Sequence, residues 1–141
     1  MKYVDAHCHL KDLKVLPSDI AIAITNSAKI SDWINLSSIA HQAGVYGAIG
    51  IHPWYVSDLP LNWLNQMRNI LLTDSNFMIG EIGLDKYKPD MPQQIDCFVS
   101  QLKMAHQLGR IVHIHCVGGW DNILTALSKY TPPAIVFHGF D

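Results

Sequence analysis

Six short apolar runs, each separated from the next by a stretch able to form a helix or loop, constrain this chain more than any other feature. They fall at residues 2–7 (KYVDAH), 20–25 (IAIAIT), 46–52 (YGAIGIH), 77–83 (FMIGEIG), 111–116 (IVHIHC) and 134–138 (AIVFH). Several are continuously apolar, as expected of strands covered on both faces. Ser31 is placed to cap a helix that carries Trp33, Leu36, Ile39, Ala40 and Ala43 on one face and stops at Gly44. Asp58 and Pro60 open a second, with Leu64, Met67, Ile70 and Leu71 inward. Asp90 with Gln93 reads as a capping box, and Pro92 suits the first turn of a third helix. That helix buries Ile95, Phe98, Val99, Leu102 and Ala105 and stops at Gly109. A fourth carries Ile123, Leu124 and Leu127 and ends at Pro132-Pro133.

Strand and helix in this rhythm mean parallel βα units, arranged as an open doubly wound sheet or as a (β/α) barrel. A complete barrel takes about 250 residues, with roughly 200 as a low bound. The chain has 141 residues, 49% of them apolar and 16% charged, which suits one α/β domain with a buried core. A formal net charge of −2 gives no global attraction for a polyanion, so a nucleic-acid substrate would need a local feature to hold its phosphates. Three cysteines, an odd number, suggest no disulfide framework. No apolar run reaches the roughly 18–20 residues that span a membrane, and the start lacks the pattern of a secretory signal. The expectation is a cytoplasmic protein without membrane contact or an obligate protein partner. Its compositional anomaly is eight histidines.

The polar residues gather at the strand ends. His7 and His9 end the first strand, His52 the third, His115 the fifth and His138 the sixth, while Glu81 and Asp85 lie at and just after the fourth. In parallel α/β folds the C-terminal strand ends form the active-site face. On an extended strand, positions i and i+2 point the same way, so His7 and His9 face one side together and Cys8 faces away, packed against a helix as a small apolar residue. His113 and His115 repeat the arrangement, with His113 one layer deeper, as a hydrogen-bonded interior histidine or a partner to a ligand. Cys116 is out of phase in the same way as Cys8. This leaves imidazole and carboxylate donors, compatible with zinc, manganese, iron or magnesium.

Glu81 sits in an almost wholly apolar strand, where a bare carboxylate is costly and must be paired or bind a cation. A carboxylate can bridge two ions, and two ions roughly 3.5–4 Å apart suit phosphodiester hydrolysis. Trp54 and Tyr55, just after His52, are placed to stack on a substrate, and Lys86, next to Asp85, to touch a phosphate. His41 and His106 read as surface or helix-packing residues, Lys88 and Arg110 as solvated charges, and Cys97 as buried.

The motifs DAHCHL, GIHPWY, GEIGLD, IHC and FHGF, in that order, resemble the TatD family of metal-dependent deoxyribonucleases, within the amidohydrolase-like TIM barrels. The likeness spans essentially the whole chain. It implies a TIM-type (β/α) barrel with a site for two divalent ions (Mg, Mn or Zn) that hydrolyses phosphodiester bonds of DNA or a related substrate. By the resemblance, His7 and His9 would bind the first ion, Glu81 both, and His115 and His138 the second. His52 would lie near the substrate phosphate, and Asp85 would line the same mouth. Glu81, His52 and Asp85 are thus the expected catalytic residues, with His52, Trp54 and Lys86 contacting substrate.

Two departures qualify it. Members often carry an arginine two residues after the fifth-strand histidine, where this chain has Val117. They also close the barrel with two more strands, the last bearing an aspartate that ligates the first ion; Asp141, just after the sixth strand, does not match that role. The expectation is therefore an incomplete barrel, about six of eight βα units in one hydrolase domain over residues 1–141, with open edges and weakened binding at His7 and His9. Two other readings compete. An amidohydrolase using a carboxylated lysine on the fourth strand would need Lys where this chain has Glu81. A non-catalytic, incomplete metal-binding fold is favoured by the stop at Asp141.

Overall fold

A computed structural model describes residues 1–10 and 16–139. Asp141 and the last residue of the FHGF motif lie outside the described residues. The six apolar runs form six strands: β1 (Tyr3–Cys8), β2 (Ile20–Asn26), β3 (Val45–Ile49), β4 (Met78–Asp85), β5 (Val112–Val117) and β6 (Ile135–His138). They lie side by side in chain order, every neighbouring pair parallel. Four helices alternate with them: α1 (Ile30–Ile39), α2 (Trp63–Thr73), α3 (Met91–Leu108) and α4 (Trp120–Lys129), with a 3₁₀ turn over Pro53–Tyr55. This is the TIM-type (β/α) barrel arrangement anticipated from the sequence, with six strands. The sheet curls until the end of β1 meets the end of β6, where the rings of His7 and His138 stack with centroids 3.9 Å apart. Among the described residues the two outer strands do not pair with each other. No helix among them is long and apolar enough to cross a membrane.

The core is the layer between sheet and helices. Ile49, Ile79, Ile82, Leu84, Val112 and Ile114 of the strands join Trp33 and Leu36 of α1, Met67 and Leu71 of α2, Phe98 and Leu102 of α3 and Ile123 of α4 in one cluster. Each such side chain contributes about 1.5–3 kcal/mol on burial.

Helix starts differ from expectation in three places. Asp32, not Ser31, closes the entry to α1: its carboxylate accepts from the N–H groups of Ala28 (2.9 Å) and Lys29 (3.1 Å), the donors left open at a helix start. That helix ends at Ile39, which leaves Ala43 in the following turn. The second helix starts at Trp63, with Asp58 and Pro60 in the turn before it. Asp90 makes no capping bond, because its backbone is left-handed (φ 60°). Gln94 secures that entry instead, donating to the carbonyls of Lys88 (3.3 Å) and Pro89 (2.9 Å), while Gln93 reaches across to the Val56 carbonyl (2.9 Å). Arg110 is not a free surface charge: its guanidinium donates to the carbonyls of Leu71 (2.7 Å) and Ser75 at the end of α2. Leu124 is exposed on the outer side of α4.

Candidate metal centre

Five strand ends converge on Glu81, which is only 2% exposed. Its backbone N–H donates to the Ser27 carbonyl (2.9 Å), just past β2, and the Gly80–Glu81 peptide is cis. Two residues on, Gly83 has φ 150° and stands in register with His115; a Cβ there would lie 1.8 Å from the His115 carbonyl oxygen, so only glycine lets β4 approach β5 this closely. That approach sets the side chains of Glu81 and His115 against each other.

Four imidazoles surround the carboxylate. On one oxygen, Oε2, His9 Nε2 lies at 3.1 Å and His7 Nε2 at 3.3 Å. On the other, Oε1, His115 Nδ1 lies at 3.1 Å and His52 Nε2 at 3.7 Å. His138, in register with His115, completes the cluster through its stack on His7. Burial alone would raise the Glu81 pKa; the hydrogen bonds to His115, His7 and His9 overcome it and hold the carboxyl well below the usual range. The same contact raises His9, most strongly through its hydrogen bond to Glu81. Burial opposes the charged form of His115, but Glu81 outweighs it and raises that group too. His52 goes the other way, pushed by burial down to about 4. Burial, then His7, lowers His138.

The donor set fits a divalent ion. His7, Glu81 and His138 offer ligand atoms all within 4.8 Å of one another, and so do His52, Glu81 and His115. His9 Nδ1 meets the Asn26 carbonyl at 2.9 Å, which fixes its proton on Nδ1 and turns the Nε2 lone pair towards Glu81. Two acceptors facing each other at 3.1 Å need a proton or a cation between them. Histidine ligands commonly donate their second nitrogen to a carbonyl in this way. Asn26 also meets His7 Nδ1, at 3.3 Å through Nδ2, and its Oδ1 is buried without a hydrogen bond. Turning that amide over would give His7 Nδ1–H an acceptor and free Nε2 to ligate.

His52 differs. Its Nδ1 accepts the backbone N–H of Trp54 (3.2 Å), so the neutral ring carries its proton on Nε2 and presents a donor to the site rather than a lone pair. This sets His52 apart from His9, whose Nε2 lone pair faces Glu81.

The remaining expected site residues divide. Asp85 is buried against two residues that line the cavity: Oδ2 accepts from Trp54 Nε1–H (2.6 Å) and lies 3.5 Å from His115 Nε2, and Oδ1 accepts from the Tyr87 N–H (2.9 Å). Burial opposes its ionisation, but the Trp54 and Tyr87 bonds lower its pKa. Lys86 does not line the cavity; its ammonium lies 5.1 Å from the Tyr87 ring centroid. His113 is fully buried, as its depth predicted, but without a hydrogen bond among the described residues. The Cys8 thiol contacts the Ile24 carbonyl of β2 (3.4 Å) rather than a helix, and burial, then Asp5, pushes its pKa up to about 11, so it stays protonated. His41 and His106 are exposed, and Cys97 is buried.

A cavity of about 380 Å³ opens over the cluster. Its inner wall is His9, His52, Glu81, His115 and His138; Lys29, Trp54 and Tyr55 stand on its outer wall. Asn26 and Lys29 were not anticipated. Asn26 ends β2, the one strand whose predicted end carried no histidine or acid, one residue past the apolar run, so its position was the available signal.

Comparisons with known proteins point to one family. Residues 4–141 match the family described as TatD related DNase. An uncharacterized metal-dependent hydrolase of Methanocaldococcus jannaschii is 24% identical over 84% of this chain and 52% of its own. The 3′-5′ ssDNA/RNA exonuclease TatD of Pantoea ananatis is 30% identical over 72% of this chain and 40% of its own. The crystal structure of YJJV, a TatD homolog from Escherichia coli K12, superimposes with a TM-score of 0.87 at 22% identity, covering 99% of this chain and 60% of that one, a likeness of fold. The chain spans about half the length of the curated relatives it matches.

Proposed function

The chain belongs to the TatD-related DNase family, and from that premise we propose that its histidine–carboxylate cluster is the centre of a metal-dependent phosphodiesterase acting on nucleic acid. The observation that carries the reading is Glu81, buried among imidazole nitrogens at 3.1–3.7 Å. His7 and His9 would hold one ion, His115 and His138 a second, and Glu81 both. Bound divalent ions (Mg, Mn or Zn) would polarise the phosphate and lower the pKa of a water.

The chain's own residues supply the rest. His52, neutral near pH 7, directs Nε2–H into the cavity, where it can donate to a phosphate oxygen without adding charge. Asp85 is a positioning residue: it ties the Trp54 indole to the His115 side of the cluster. Trp54 stands half-exposed at the mouth, where a base can stack. Lys86, whose stem lies against Gly118, sits beside the Val117 position where the family often has arginine. The carboxylated-lysine alternative has no support here, since the fourth-strand position is Glu81.

The test is release of nucleotides from single-stranded DNA with Mg²⁺ or Mn²⁺, wild type beside Glu81→Ala. The reading expects metal-dependent release that Glu81→Ala reduces at least about a hundredfold, the upper end of the roughly 10–100-fold loss typical when even an outer partner of a metal ligand is removed. Release that survives the substitution would sink it.

A further inference from the structure

The Pro53–Tyr55 turn separates two cavities. Behind it lies the metal-centre cavity; in front of it a second, of about 270 Å³, opens outward. Lys29, Trp54 and Tyr55 belong to the walls of both. The two aromatic rings are 51% and 42% exposed, and hydrogen bonds hold the Trp54 ring and the backbone under Tyr55. Trp54 is held at its indole N–H by Asp85 and at its backbone N–H by His52, and the Tyr55 N–H donates to the His52 carbonyl at 3.0 Å. Each ring also carries an ammonium: Lys88 lies 4.3 Å from the Trp54 centroid and Lys29 5.5 Å from that of Tyr55.

Exposed aromatic faces beside ammonium groups are the two components by which proteins hold a single strand, because every base has a π-face and every linkage a phosphate. With a net charge of −2 the molecule has no general attraction for a strand, so capture has to be local. Among the described residues Asp58 is the one carboxylate on the outer wall, which directs phosphates to the lysines and leaves the cavity to base and sugar.

We propose that the outer cavity is a second nucleotide subsite: it takes the base of the nucleotide adjoining the one at the metal centre, stacked on the Trp54–Tyr55 turn, with the linking phosphate at Lys29 and Lys88. This deepens, and rests on, the phosphodiesterase reading of the metal centre. It makes the preferred ligand a strand rather than a mononucleotide.

The experiment compares binding of thymidine 5′-monophosphate and its 5′-phosphorylated dinucleotide by calorimetry in EDTA, where no hydrolysis occurs. In the wild type the second nucleotide tightens Kd by roughly tenfold, the increment of one stacked base. Tyr55→Ala and Lys29→Gln each remove most of that gain, Tyr55→Phe keeps it, and Lys29→Gln lowers the slope of log K against log salt by about 0.7 for the lost phosphate contact. Circular dichroism checks that each variant folds. A wild type with no gain from the second nucleotide, or a gain that persists in both Tyr55→Ala and Lys29→Gln, overturns the subsite. Metal-dependent hydrolysis of the same dinucleotide by the wild type is scored separately. Its absence alongside an intact binding gain counts against the phosphodiesterase and leaves the subsite standing; hydrolysis without a gain removes the subsite alone.

Discussion

His113 sits fully buried beside the histidine–carboxylate cluster, its ring centroid 5.7 Å from that of His7, and neither of its nitrogens has a hydrogen bond among the described residues. Burial, then the nearby His7, pushes its pKa down to about 4. Its unfolded value is about 6.5, so between pH 6.5 and 4 the unfolded chain binds the proton and the folded one does not. Stability from this residue therefore falls as pH drops through that window, by on the order of 3 kcal/mol at about 1.4 kcal/mol per unit. We expect urea midpoints of the metal-free protein to fall below those of His113→Leu by a growing margin from pH 6.5 to 4. A difference that does not change with pH would contradict this. Strand alternation in the sequence put His113 one layer under His115, and it lies there. Its lack of a partner was not legible, because alternation tells which face a side chain takes and nothing about what meets it. His52 shows the same limit: it was read as ending the third strand, but β3 stops at Ile49 and His52 caps the Pro53–Tyr55 turn, with its tautomer set by the Trp54 backbone, which no residue pattern reveals.

On the third helix, Gln94 and Gln101 are fully buried, seven residues apart on the face that packs on the sheet. Gln101 accepts from the Ile51 N–H (2.7 Å) and donates to the Ile51 carbonyl (3.2 Å), next to His52. Gln94 accepts from the Asp85 N–H (2.9 Å) and donates to the Asp85 carbonyl (3.2 Å). One helix thus fixes the backbone under two site residues. Replacing Gln101 by leucine keeps the volume but leaves both Ile51 groups buried without partners, a cost of about 1–3 kcal/mol. Denaturant titration of Gln101→Leu checks this; unchanged stability would mean that water or backbone movement replaces the bonds. Spacing placed Phe98, Leu102 and Ala105 of this helix in the core, while Ile95 and Val99 are partly buried and Met104 joins the core as well. The glutamines were not legible, because their partners are main-chain groups, at Ile51 just past β3 for Gln101 and at the end of β4 for Gln94, which a side-chain pattern does not show. The helix starts failed for a different reason: Asp32 fills the third position of a capping box whose first residue, Lys29, is not a usual cap, and Gln94 reaches loop carbonyls rather than helix-start donors.

Across the whole molecule, the βα rhythm carried most of the information. Parallel order put the C-terminal strand ends together, and that grouping brought residues as distant as His7 and His138 into ring contact. The spatial grouping of these side chains was less legible: polar atoms of His7, Glu81 and His138 lie within 4.8 Å of one another, as do those of His52, Glu81 and His115. Curvature of the sheet decides such groupings, and the sequence states strand order without curvature. The outer strand β1 exposes Tyr3 and Val4, an apolar edge that a further strand or a second copy would cover. The central claim is that Glu81 and its histidines hold a divalent ion, and elemental analysis tests it most directly. Wild type and Glu81→Ala, each shown folded by circular dichroism, are equilibrated with Mn²⁺ or Zn²⁺, desalted and assayed for metal per chain. The account predicts metal retained by the wild type and lost from Glu81→Ala; equal retention by both, or none by the folded wild type, would contradict it.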